Sequence, residues 1–358
     1  MKSTRLLVLV CTLLCAALPY AHAQNANADL KALNQEVVQL HQAGQHAKAL
    51  VLAEKVLQLT EQKVGPEHPD VATSLNTLAF LYRIQDAYAK AEPLYQRSLA
   101  IREKALGHSH PSAATSLNNL AELYRTQGAY AKAEPLHQRS LAIREKALGP
   151  DHPDVAQSLN NLAELYRTQG AYAKAEPLYQ RSLAIWEKTL GPNHPDVAIS
   201  LNNLAELYRT QGAYVRAEPL YRRSLAIKEK ALGPNHPSVA TSLNNLALLH
   251  YTKKAHTKAE PLHQRSLEIR EKALGPNHPD VAQSLNNLAE LYRAQGAYAQ
   301  AEPLHQRSLA IWEKALGPNH PNVAASLRNL AKLYRATNRS AQAQALESRA
   351  AQIDAVKR

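Results

Sequence analysis

From residue 111 to 127 the apolar side chains fall at Leu117, Leu120, Ala121 and Tyr124. Spacings of three and four put them on one stripe of an amphipathic helix, here called A. Pro111 stands where that helix starts, since a first-turn proline lacks only an N–H that has no partner anyway. Gly128 stands where it ends, the place for a left-handed residue. A second stripe follows at Tyr130, Ala133, Leu136, Leu141, Ile143 and Leu148 and predicts helix B, stopped by Gly149-Pro150. Small Ala121 and Ala133 let the two helices approach, and the bulkier leucines and tyrosine fill the space beside them.

This pattern returns every 42 residues. Ser116–Leu136 recurs letter for letter at Ser158–Leu178, and its first fifteen residues recur again at Ser200–Tyr214. A helix pair this small cannot bury its own stripe, so neighbours must, and the expected product is an all-α solenoid. His-Pro at His68, His110, His152, His194, His236, His278 and His320 marks seven helix A starts. A degenerate unit at 27–65 precedes them, regular repeats run over 69–317, and a capping repeat fills 321–358, whose second helix is polar at Gln342, Gln344, Glu347, Ser348 and Arg349. About sixteen helices are expected.

Two local conflicts stand against this regularity. Pro93, Pro135, Pro177, Pro219, Pro261 and Pro303 lie near the start of helix B, where an interior proline removes a hydrogen bond. A loose or bent first turn is expected there. Lys254 replaces the turn glycine of its repeat, so that turn is either strained or reshaped.

The spacing Leu117, Leu120, Ala121, Tyr124, Gly128, Tyr130, Ala133, Ser140, Leu141 resembles the tetratricopeptide repeat. With its 42-residue period and its "LNNLA", "AIREKALG" and "HPDVA" segments, it resembles the kinesin-light-chain-like subclass that also occurs in bacterial proteins. The resemblance implies a right-handed superhelical solenoid of about eight helix-turn-helix repeats. It also implies a protein or peptide partner held in the concave groove of the A helices. Residue by residue, that groove maps onto Asn34, Asn76, Asn118, Asn160, Asn202, Asn244 and Asn286, continued by Arg328. One turn on come Phe80, Glu122, Glu164, Glu206, Leu248, Glu290 and Lys332, and then Arg83, Arg125, Arg167, Arg209, Tyr251, Arg293 and Arg335. Steps of four and three keep all three rows on one helix face.

An asparagine column can hold the backbone of an extended peptide, or can bond neighbouring helices and fix the twist. The Glu122/Arg125 type of pair reads as a weak surface ion pair on a solvated face. Arg328, Lys332 and Arg335 place three positive charges on one face, a candidate anion or C-terminal carboxylate site, or a charged cap. The second asparagine, as in Asn119, reads as structural. Trp186 and Trp312 take the place of Arg144 in the pattern, as exposed anchors or as extra packing.

Lys2, Arg5, an apolar run from Leu6 to Leu18 and Ala21-His22-Ala23 form a secretory signal peptide over 1–23, cut between Ala23 and Gln24. The run is too short to span a bilayer, so no integral membrane span is expected. Export to the periplasm or the cell exterior follows. Both cysteines, Cys11 and Cys15, lie inside the leader, so the processed chain has no thiol for a disulfide or a metal.

The net charge is +12, or +10 once Lys2 and Arg5 are removed. Most of it is spread thinly, with residues 111–152 holding five Lys/Arg against four Asp/Glu; the exceptions are the repeat at 237–278, with Lys253, Lys254 and Lys258, and the C-terminal end. That spread argues against a nucleic-acid stripe. Equivalent histidines on packed helices stand roughly 8–10 Å apart, too far to share a zinc ion at bonds of about 2.1 Å. The His-Pro histidines are therefore read as helix-entry residues, with no metal and no cofactor. No phosphate loop, HExxH or GxSxG is present, and no enzyme activity is expected. The alternative to a groove ligand is a structural spacer or a self-associating array.

Overall fold

A computed structural model describes residues 29–355, and the expected leader with its Ala23–Gln24 cut lies outside them. The described residues hold helices and no strand. They form α1 (29–42), α2 (His46–Val64), α3 (Pro69–Ile84) and α4 (Tyr88–Leu106). Next come α5 (Pro111–Thr126), α6 (Tyr130–Leu148), α7 (Pro153–Thr168), α8 (Tyr172–Leu190), α9 (Pro195–Thr210) and α10 (Tyr214–Leu232). The last six are α11 (Pro237–Thr252), α12 (His256–Leu274), α13 (Pro279–Ala294), α14 (Tyr298–Leu316), α15 (Pro321–Ala336) and α16 (Ser340–Ala355). Two compact units divide at Ala105–Leu106.

In the first unit, Val37 of α1, Ala49, Ala53 and Val56 of α2, and Leu78 and Leu81 of α3 form one buried cluster. The degenerate repeat thus packs as a helix pair. In the second unit each helix packs on the next along the chain, and α5, α7, α9 and α11 also touch in series. Val155, Ala156 and Leu159 of α7 are buried with Ile185 of α8, and Leu141 of α6 packs on the same cluster. Shielding by the preceding repeat is what the 42-residue period requires.

Local chemistry sets the ends. Each His-Pro histidine is the N-cap, with an extended backbone that the following proline favours. Its ring Nδ1 accepts the N–H two residues on, as in His152 from Asp154 at 3.1 Å. The expected helix-entry role is therefore a hydrogen-bonded cap. At the other end of α5, Gly128 has φ +72°; Ala129 N–H donates to Tyr124 O at 2.8 Å and Gly128 N–H to Arg125 O at 3.0 Å. That pair of bonds is the Schellman stop. Lys254 adopts the same geometry at φ +56°, so its turn is strained and not reshaped.

The helix B prolines sit inside continuous helices. α6 starts at Tyr130 and runs through Pro135 without a break. Its first turn is mixed: Lys132 and Ala133 both donate to Ala129 O, at 3.0 and 3.2 Å. The expected looseness takes this shared-acceptor form, because the proline lies beyond the first turn. Behind it, buried Ser140 donates from Oγ to Ala114 O at 2.8 Å, and Ser182, Ser224, Ser266 and Ser308 repeat the bond on α7, α9, α11 and α13. These hydroxyls tie helix B to helix A in these five repeats.

Both tryptophans pack. Trp186 lies against the Val155 and Val197 clusters, and Trp312 against the Val281 and Val323 clusters.

Candidate functional site

The three residue rows sit together on the A helices of the second unit, with their charges engaged. Arg125 Nη2 donates to Glu122 Oε2 at 2.9 Å, and its Nε reaches the same carboxylate. Arg167 grips Glu164 with two bonds of 2.9 and 2.6 Å, and Arg209 grips Glu206 with 2.8 and 2.5 Å. Two of these arginines also lean toward the next repeat: Arg125 lies 3.9 Å from Glu164, and Arg167 lies 4.0 Å from Glu206. Alternating charges thus run across α5, α7 and α9.

These side chains are only 20–26% exposed. The expectation of a weak pair on a solvated face is therefore corrected. The forked geometry is bidentate, and the adjoining repeat covers what a lone helix would leave in water.

Beneath each glutamate stands a polar tip from helix B that the sequence reading missed. Buried Tyr179 donates to Glu164 at 2.7 Å, and buried Tyr221 to Glu206 at 2.6 Å. His137 and His305 occupy the same place, 3.6 Å from Glu122 and 3.3 Å from Glu290. At 3.6 Å the His137 contact is electrostatic and not a hydrogen bond. The signal was present: this position is always Tyr or His, fifteen residues after the glutamate.

Burial alone would push the Glu122 carboxyl up, but His137 and Arg125 outweigh it and hold it at about 2. Glu290 is held at about 2 in the same way, by His305 and Arg293 against burial. Burial, reinforced by the nearby Glu164 charge, raises the Tyr179 hydroxyl far above its ordinary range. Glu122 and Glu290 are therefore anionic, and Tyr179 neutral, at physiological pH.

The rows break at α11, where Leu248 and Tyr251 stand in place of Glu and Arg. Tyr251 stacks on His256 with ring centroids 5.8 Å apart. Below them, buried His263 has no carboxylate partner, and burial, aided by Arg270, lowers it to about 4.

The asparagines form a second ladder. Asn203 donates to Asn160 Oδ1 at 3.0 Å, Asn245 to Asn202 at 2.8 Å, Asn287 to Asn244 at 2.9 Å and Asn329 to Asn286 at 3.0 Å. Asn118 donates to Ser158 and meets His137 at 2.9 Å. Asn118, Asn160 and Asn244 are at most 9% exposed, whereas Asn202 and Asn286 are half-buried. In the first unit Asn76 is buried. At Asn203, Asn245, Asn287 and Asn329 the second position thus has a structural role, with the first asparagine of the preceding repeat as its acceptor.

Comparison with known proteins agrees with this geometry. A tetratricopeptide repeat profile matches residues 30–104, 75–146, 112–185, 154–230, 211–272, 238–311 and 280–355. The chain belongs to the tetratricopeptide repeat family. Among solved structures, this tetratricopeptide repeat protein is similar to BtubC (BKLC) from P. vanneervenii, at 26% identity over 66% of this chain and 92% of that one, with TM-score 0.51. It is also similar to a putative kinesin light chain from Podosopora anserina with nearly identical TPR-like repeats, at 32% identity over 57% of this chain and 97% of that one, with TM-score 0.49. A Rap protein complexed with Competence and Sporulation Factor shares the fold at 13% identity, over 91% of this chain and 97% of that one, with TM-score 0.58. A search of curated proteins found no match.

In the terminal repeat of this tetratricopeptide protein, the basic trio has partners within the chain. Arg328 pairs with Asp354, Arg335 holds Glu347 with bonds of 2.8 and 2.6 Å, and Lys332 reaches Asn329 Oδ1 at 3.2 Å. Arg335 turns to the middle of α16 and Arg328 to its C-terminal end, so each is held by a different acid. An external anion would have to displace both acids. Solvent screens such exposed pairs, which makes them weak.

Proposed function

We propose that the protein is an exported scaffold that holds an extended peptide or protein segment along the A-helix face. The observation that carries this reading is the row of equivalent Glu–Arg pairs on α5, α7 and α9, of which those on α7 and α9 are fixed from below by a buried tyrosine. A fixed pair offers the outward N–H groups of Arg125, Arg167, Arg209 and Arg293 to peptide carbonyls without further ordering of the arginines. Asn202 and Asn286, the half-buried members of their row, have N–H groups to add. The neighbouring fold seen in a Rap protein with Competence and Sporulation Factor bound is consistent with a held ligand. Alternating signs along the face oppose a polyanion such as nucleic acid. No helix among the described residues is long and apolar enough to cross a membrane.

The α11 repeat supplies a fold-compatible control, because the chain itself carries Leu248, Tyr251 and His263 there. The triple substitution Glu164→Leu, Arg167→Tyr, Tyr179→His copies that arrangement into the α7–α8 repeat. Peptides selected from a displayed random library on the full chain should bind this variant at least tenfold more weakly, about 1.4 kcal/mol, with unchanged helix content by circular dichroism. Unaltered affinity rejects the groove. The competing reading is self-association, favoured by Val215, which stands 88% exposed on α10; a concentration-dependent mass in sedimentation with no peptide selected would support it.

Export rests on the leader alone. Expressed in a Gram-negative bacterium, the protein should appear in the periplasmic fraction with Gln24 as its first residue by N-terminal sequencing. A cytoplasmic product that retains Leu6–Leu18 removes export from the proposal.

A further inference from the structure

Between α13 and α15 lies a cleft of about 390 Å³ with Trp312 of α14 in its wall. That volume is in the range of small-molecule sites, roughly 300–1,000 Å³. Its polar lining is amides: Gln283, Asn286, Asn287, Asn322 and Asn329. No charged side chain lines it. Amides offer donors and acceptors side by side, which matches hydroxyl and acetamido groups and gives an ion no counter-charge.

Trp312 makes this place unlike the repeats that keep arginine. In those, Arg144 donates to Ser158 Oγ and Arg270 to Ser284 Oγ, each at 2.9 Å. With tryptophan there instead, Ser326, 3% exposed, has a hydroxyl with no hydrogen-bond partner. It also lines the cleft. A buried hydroxyl without a partner is destabilising, and a ligand hydroxyl would relieve that cost. The one substitution thus brings in an apolar indole surface and releases a polar group beside it. The chain's other tryptophan, Trp186, is differently surrounded. Ile199 stands there at the place of Ala325, and Gln157 donates to Asn161 at 2.8 Å.

We propose that this cleft binds a neutral, hydroxyl-bearing ring, a hexose or N-acetylhexosamine unit, with its apolar face on Trp312 and its polar edge on the amides and Ser326. The site shares Asn286 with the peptide groove but uses none of the Glu–Arg rows, so either can fail without the other.

The full chain with Trp186→Phe has Trp312 as its one tryptophan. Its fluorescence should change saturably with at least one of diacetylchitobiose, cellobiose or maltose, titrated to about 10 mM so that a Kd near 1 mM is visible. Adding Ala325→Ile, at an exposed position and copying residue 199, should weaken that response at least tenfold with helix content unchanged. Adding Ser326→Ala should weaken it several-fold. A flat titration with all three sugars overturns the proposal, and so does a response that Ala325→Ile leaves intact. A response to an acetylated glutamine dipeptide but to no sugar overturns it in favour of a peptide subsite.

Discussion

Acidified from neutral pH, the repeat of α11 and α12 opens before the repeats of α5–α6 and α13–α14. His263 is 1% exposed and titrates at about 4 in the fold, against 6.5 ordinarily. The unfolded chain therefore binds more protons between these two values. The stability that neutral His263 contributes is fully present above pH 6.5 and is lost as pH falls toward 4, up to about 3 kcal/mol. His250 of the same repeat is shifted downward too, chiefly by burial. Glu122 and Glu290 run in a lower window. Their folded value of about 2 lies below the ordinary 4.5, so their contribution is full above pH 4.5 and lost as pH falls toward 2. Hydrogen exchange read by mass spectrometry at about pH 5, corrected for intrinsic rates, should show lost protection first over Pro237–Leu274. Protection lost uniformly along the chain, or first in α5 and α6, would contradict this order.

The fold was legible because a strict period carries its own proof. The stripe at Leu117, Leu120 and Tyr124 needs a cover, and the same letters 42 residues on supply it. The caps followed from Pro111 and Gly128, with the ring nitrogen of His110 as the unread part, since histidine is an uncommon N-cap. The three rows on helix A were legible for the same reason of spacing.

What those rows do was not legible from one helix. Glu164 and Arg167 read as solvated because helical periodicity says nothing about what the next repeat lays over them. Their tie to Tyr179 crosses between helices, and spacing within one helix does not reveal such a tie. The asparagine ladder joins residues 43 apart, one more than the period. The Asn-Asn doublet contains that offset, but only with the twist between repeats does the second amide meet the first of the repeat before. The ladder also narrows the groove's chemistry: the buried amides hold the repeats together, which leaves the arginines as the principal outward donors.

Replacing Glu164 by leucine should cost about 3 kcal/mol, because one carboxylate serves three groups. It takes both bonds from Arg167 and the Tyr179 hydroxyl, and lies 3.9 Å from Arg125. Without it Tyr179, 0% exposed, has a hydroxyl whose acceptor is gone, worth about 1–3 kcal/mol. Arg125 and Arg167 would then face each other with no anion between them; losing one member of a buried pair costs about 3–5 kcal/mol, and the partial exposure here puts the sum at the low end. Glu164→Gln keeps an acceptor and should cost roughly half as much. The triple variant with Arg167→Tyr and Tyr179→His should return to within about 1 kcal/mol of the parent, because it removes the stranded cation and hydroxyl together. Stability is best read locally, as exchange protection of α7 and α8, since long repeat arrays lose two-state behaviour. If Glu164→Leu costs less than about 0.5 kcal/mol, the size of an ordinary surface change, then the pairs are a solvated face after all and nothing preorganises the arginines.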